Sequence, residues 1–171
     1  GGVNITFDNG KHWIKCNNQA VGQFYSVNVD EKENYEVYGG LQDNGVWAGP
    51  NNYEHNVEWL QDGKYPYEFL SGGDGMQVQI DTRTNNLVYT GYQFGNYTKI
   101  DRNSGERKYI TPQADKKEEP YRFNWQVPIL LSSHNQDVVY FGGQYVFRSM
   151  NQGKNWEKIS TDLTNGKVEG N

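Results

Sequence analysis

Two acids stand in settings that could carry chemistry: Asp43 in "LQDNG" and Asp74 in "SGGDGM". Glycoside hydrolysis needs one carboxyl group as an acid and a second roughly 5 to 10 Å away across the scissile bond. Binding of a sugar or peptide asks instead for a ring to stack on and amides for directional hydrogen bonds. Gln42, Asn44, Gln93, Arg122, Asn124, Trp125 and Gln144 are the candidates for that work. Each acid also has a structural reading. Asp43 and Asn44 before Gly45 form an ordinary turn signal, and Asp74 lies among Gly72, Gly73 and Gly75.

Other chemistries find little footing. The single cysteine, Cys16, allows no intrachain disulfide, and its position suits a core-facing hydrophobe better than a nucleophile. His12, His55 and His134 are scattered without metal-ligand spacing, so neither a metal nor a cofactor is expected. A formal charge of -5 argues against a sequence-independent nucleic-acid binder, which needs a basic footprint. No apolar stretch approaches the length of a membrane span.

The elements that must position these residues show in the composition and in two repeats. With 13 Tyr, 5 Trp and 20 Gly in 171 residues, the chain leans towards strands punctuated by turns. "ITFDNGKHWIKC" near the start and "RSMNQGKNWEKIS" near the end share a frame, S/T-x-D/N-x-G-x-x-W. Thr6, Asp8, Gly10 and Trp13 correspond in it to Ser149, Asn151, Gly153 and Trp156. An Asp or Asn accepting from backbone N–H groups, a Gly with φ > 0 and a Trp to anchor the next strand describe a structural turn. Both tryptophans are expected to be largely buried.

A second repeat runs through the chain. "VYGGLQ" from Val37, "VYTGYQ" from Val88 and "VYFGGQ" from Val139 align without a gap at a spacing of 51 residues. Asp30, Asp81 and Ser132 lie seven residues before each Val. Each unit reads as four strands, A to D. In the first unit these are "FYSVNVD", "YEVYGGL", "GVWAG" and, after an insertion, "VEWLQ". Four-stranded units of this length predict an all-β fold, a β-propeller fragment of about three and a half four-stranded antiparallel blades. The expected divisions are a partial blade of C and D strands at 1–18, blades at 19–70, 71–122 and 123–161, and a linker or tail at 162–171. The remaining blades would come from the same polypeptide or a partner chain. In such units the D–A and B–C connections share one face, which gathers the candidate residues, while the Trp frames take the other.

On these residues the chain resembles the Asp-box, or BNR, repeat proteins. The frame is that of sialidases, sortilin-type receptor propellers and the paired propellers of xyloglucanases. "YGGLQDNGVWAGP", "GGDGMQVQID", "RFNWQVPILLSSHNQDVVYFGG" and "FRSMNQGKNWEKISTDLT" are similar to large secreted bacterial proteins of the sortilin-like or glycosyl-hydrolase-like kind. The resemblance implies an extracellular or cell-surface, non-catalytic module binding a peptide, protein or glycan through the D–A and B–C loops. The alternative it implies is a piece of a xyloglucanase-like or sialidase-like glycoside hydrolase. A sialidase-style arginine triad is not available, because Arg83, Arg102, Arg107, Arg122 and Arg148 do not recur at matching loop positions.

Overall fold

The computed structural model describes residues 3–15, 22–54, 56–62 and 64–166. Cys16 and His55 lie outside them. Among the described residues the fold is all-β apart from one short helix. A two-stranded antiparallel sheet, β1 (Asn4–Ile5) and β2 (Ile14–Lys15), precedes three four-stranded ones. The first comprises β3 (Phe24–Val29), β4 (Glu36–Leu41), β5 (Gly45–Pro50) and β6 (Glu68–Ser71). The second comprises β7 (Val78–Ile80), β8 (Leu87–Tyr92), β9 (Asn96–Asp101) and β10 (Arg107–Tyr109). The third comprises β11 (Ile129–Leu131), β12 (Val139–Gly142), β13 (Val146–Ser149) and β14 (Glu157–Lys158). In each, strands adjacent in sequence pair antiparallel, and no described sheet closes on itself.

One strand differs from the sequence reading. "VEWLQ" belongs to the helix α1 (Val57–Asp62), and "EFLS" takes the fourth place in the first sheet. Asn56 explains the helix start, since its Oδ1 accepts the Glu58 N–H at 2.9 Å as an N-cap does. Phe69 and Glu68 then pair with Trp47 and Ala48 of β5.

The sheets pack face to face through alternate residues of the central strands. Val88 and Ile100 of the second sheet meet Tyr38, Val46, Ala48 and Leu70 of the first in one core. Tyr89 and Tyr97, pointing the other way, join Ile129, Val139, Phe141 and Phe147 of the third in another. The first strands of the three sheets are also tied to one another. Ser26 Oγ donates to Met76 O at 3.1 Å and Asn28 Nδ2 to Val78 O at 3.0 Å, while Gln77 Oε1 accepts the Ile129 N–H at 3.1 Å. Side chains in or just ahead of one first strand thus satisfy backbone groups in or just ahead of the next.

The two Trp frames fold into the same turn. Ser149 Oγ accepts the Gly153 N–H at 2.8 Å, and Asn151 Oδ1 accepts the Asn155 N–H at 2.9 Å. Thr6 Oγ1 and Asp8 Oδ1 accept from Gly10 and His12 at 2.9 Å each. Gly10 and Gly153 have φ of 86° and 81°, which explains the glycine. The tryptophans part company. Trp156 donates from Nε1 to Ile110 O of the preceding sheet at 2.6 Å and packs on Phe141, half-buried. Trp13 is 63% exposed, against expectation: among the described residues its indole bonds only its own turn, at Gly10 O.

Candidate functional site

The turn between β4 and β5, the connection from β6 to β7, the turn between β8 and β9 and the connection from β10 to β11 converge on one face. There they line a cleft of about 540 Å³ whose walls include Asp43, Asn44, Phe69, Asp74, Gln93 and Trp125. Five of the residues picked out from sequence are therefore neighbours, drawn from two turns and two long connections. Gln42 sits beside them in a shallower depression shared with Asp43 and Asn44.

The two aspartates have different roles. Asp74 is buried, and its carboxylate is engaged on both oxygens. Oδ1 accepts the backbone N–H of Asp43 at 2.7 Å, across the junction of the first and second sheets, and Oδ2 accepts from Gln93 Nε2 at 3.4 Å. Gln93 Oε1 in turn accepts the Asp74 N–H at 3.1 Å. Asp43 is exposed at the tip of its turn with φ of 61°, and its carboxylate has no partner among the described residues. Asp74 is thus a clip between sheets, and Asp43 is the acid available to a ligand.

Most backbone donors at the cleft are already used. The N–H groups of Asp43 and Asp74 are taken as above, Gly45 donates to Gly73 O at 3.0 Å, and Gly75 donates to Leu41 O at 3.0 Å. Asn44 turns its Nδ2 onto Gln42 O, and its own carbonyl accepts Trp47 Nε1 at 2.7 Å. What the cleft offers is the Asp43 carboxylate and the rings of Trp125 and Phe69, both exposed. Trp125 is held by its neighbours: Asn124 Oδ1 accepts its N–H at 2.7 Å, and its carbonyl accepts the Phe94 N–H at 3.1 Å.

Arg122 and Gln144 do not join this group. Gln144 Oε1 accepts the Arg122 N–H at 2.7 Å, which fastens the connection ahead of β11 to the third sheet. The Arg122 guanidinium reaches Asp162 Oδ2 at 3.1 Å and Thr164 Oγ1 at 2.7 Å, so this ligand-binding candidate is engaged in an ion pair with Asp162 instead of lining the cleft. The Thr164 backbone N–H and hydroxyl, helped by the Arg122 charge, hold the Asp162 carboxyl below the usual carboxylate range. Gln93 and Gln144 share a task, each accepting the N–H of the segment that leads into its own sheet. This accounts for Gln at two of its three positions in the repeat.

Sequence reading missed Phe69 and Phe94. Phe69 sat outside the strand assigned to that part of the chain, and correct placement of "EFLS" would have brought it to the sheet end beside Gly72. Phe94 was visible at the centre of "GYQFGNY", one repeat after Asp43, but an aromatic at a turn tip fits no turn signal. No protein-family model matches the chain, and no curated protein matches it.

Proposed function

We propose that the three four-stranded sheets are consecutive blades of a β-propeller of the Asp-box class, and that the face bearing the 540 Å³ cleft is the ligand-binding face of a non-catalytic, secreted or cell-surface module. The propeller reading is supported by the repeated stitching of each first strand to the next. Bare positions on the first sheet support it as well. Val27, one repeat before the buried Val78, is 57% exposed, whereas Val78 is 2% exposed. A further blade, from the same polypeptide or a partner chain, would cover it as the first sheet covers the second.

Ligand binding rests on one observation. An unpartnered carboxylate, Asp43, and an exposed indole, Trp125, face a single cleft on a rigid scaffold. Binding is favoured over glycoside hydrolysis because the second carboxylate, Asp74, is committed to Asp43 N–H and Gln93 and is not free to serve as nucleophile or base.

The test is a ligand screen over peptide and glycan libraries, repeated with Asp43→Asn and Trp125→Ala. Both variants should keep the parent melting curve and lose at least tenfold in affinity. A ligand bound equally well by parent and both variants would place the binding surface elsewhere.

A further inference from the structure

At the tip of the turn between β8 and β9 stands a residue that the backbone does not favour. Phe94 has φ of 62°, in the left-handed region where a bulky aromatic is an outlier and where Asn or Asp is at ease. One repeat earlier the same loop position holds Asp43, with φ of 61°, a residue suited to it. The second turn therefore carries a cost that the first avoids, and the ring it displays is not used to fill a core. Phe94 is 53% exposed. Its ring meets the Trp125 indole edge-to-face, centroids 5.3 Å apart, on the rim of the cleft. On its far side Phe94 lines a second groove of about 410 Å³ with Tyr109, Thr111, Gln113, Tyr121 and Phe123. The Phe94–Trp125 contact thus sets the two grooves side by side, the first lined also by Phe69 and the second by the exposed Tyr109.

We infer that Phe94 and Trp125 form a ring-stacking platform and that the ligand of this face is a neutral oligosaccharide long enough to lie across both grooves. The inference rests on the binding-face reading above and names its ligand class. Exposed rings alternating with isolated polar side chains suit pyranose units, whose C–H faces stack on aromatics while their hydroxyls donate to a carboxylate such as Asp43. A peptide adding as a strand would need free backbone N–H and C=O groups, and the N–H groups of Asp43, Gly45, Asp74 and Gly75 are all taken. Charge decides the rest. The first cleft contains Asp43 and Asp74 and no Lys or Arg, and the second sets Asp115 and Glu118 against Lys116, so each groove carries net negative charge, which disfavours an anionic sugar. Backbone strain retained at a ligand-facing tip is where functional constraint concentrates.

The experiment uses the intact protein on an array of neutral oligosaccharides of two to eight units, with a proline-rich decapeptide as competitor class, followed by calorimetric titration of the best-bound glycan. Expected are binding that strengthens from disaccharides to chains of four or more units, a loss of about tenfold or more in Phe94→Asn, and retention within about threefold in Phe94→Tyr. The melting temperature of Phe94→Asn should equal or exceed that of the parent, because Asn relieves the left-handed position. Binding unchanged in Phe94→Asn, a melting temperature several degrees lower in that variant, or no neutral oligosaccharide bound by the parent would each overturn the inference. Capture of the decapeptide in place of any glycan, lost in Trp125→Ala, would overturn the oligosaccharide and leave the binding face standing. A glycan held equally by Asp43→Asn and Trp125→Ala would overturn both.

Discussion

The Asp74 carboxylate receives the backbone N–H of Asp43 at 2.7 Å, so an acid in the connection entering the second sheet secures a turn of the first. Two residues with the same chemistry, 31 apart, are thereby divided into one that builds the cleft and one that faces it. Asp74→Ala removes the acceptor and leaves a donor short of its partner, at a cost of about 1–3 kcal/mol. Asp74→Asn keeps one oxygen for Asp43 N–H but opposes an amide NH₂ to Gln93 Nε2, and should cost less. Asp43→Asn should leave stability within about 0.5 kcal/mol, since Asn accepts the left-handed backbone and no side-chain partner is lost. Urea denaturation of the three variants checks this order.

On the opposite side of the same sheet pair, Arg102 bonds Glu36 at 2.7 Å, Glu68 at 2.5 Å and the Tyr38 hydroxyl at 2.8 Å. Arg102, helped by Lys32, lowers the Glu36 carboxyl from its ordinary 4.5 to about 2, against the opposing effect of burial. A carboxyl depressed in the folded state gives stability that is fully present above the unfolded value and lost as pH falls through the folded one. The melting temperature of the parent should therefore drop between pH 4.5 and about 2. Glu36→Gln should be less stable at pH 7 and show a flatter acid limb over that interval. With Glu36 only 19% exposed, the pH-dependent contribution is at most about 3 kcal/mol. An acid limb equally steep in parent and variant would mean that another group governs it.

The paired turns make a control for each other. Trp156→Ala loses the bond to Ile110 O and the contact with Phe141, and should cost about 2–4 kcal/mol, near the lower part of the range for large aromatic truncations because the ring is half-buried. Trp13→Ala should cost less than about 1 kcal/mol, since the ring is exposed and, among the described residues, bonded only to its own turn. Equal losses in thermal melts would show that the turn itself, and not the preceding sheet, sets the anchor's worth.

What the sequence revealed follows from which forces are local. The 51-residue repeat placed Val37, Val88 and Val139 in the second strand of three sheets because a period of two and a recurring turn are written in consecutive residues. The turn bonds of Thr6, Asp8, Ser149 and Asn151 were legible for the same reason. The fourth strand of the first sheet was not, since the Val and Trp of "VEWLQ" are residues that strands favour while the Asn56 cap that makes the segment helical rests on a single position. Of the site, the shared face of Asp43, Asp74, Gln93 and Trp125 followed from strand order. The use of Asp74 as a clip did not, because it depends on an approach between two backbones far apart in sequence. Arg122 likewise found Asp162, 40 residues away, where no pattern joins them.

That approach between backbones yields the last prediction. Gly40, the glycine of the first repeat, lies so near the next sheet that a Cβ there would stand 2.1 Å from Met76 O and 2.4 Å from Gly75 O. From the other side, a Cβ on Gly75 would stand 2.1 Å from Gly45 O. Neither contact is with a movable side-chain end, so Gly40→Ala and Gly75→Ala must separate the two sheets, stretching the Gly75 N–H bond to Leu41 O and the Asp43 bond to Asp74. Each should cost about 1–3 kcal/mol or more, as overpacking does. Gly72 is the contrasting case. It has no positive φ, and a Cβ there would meet only the Phe69 ring at 3.8 Å. Gly72→Ala should be neutral or stabilising by about 0.4–1 kcal/mol, through the entropy it removes from the unfolded chain. Thermal melts of the three variants separate the cases: a Gly40→Ala protein as stable as Gly72→Ala would mean that the sheets are not held together at this junction.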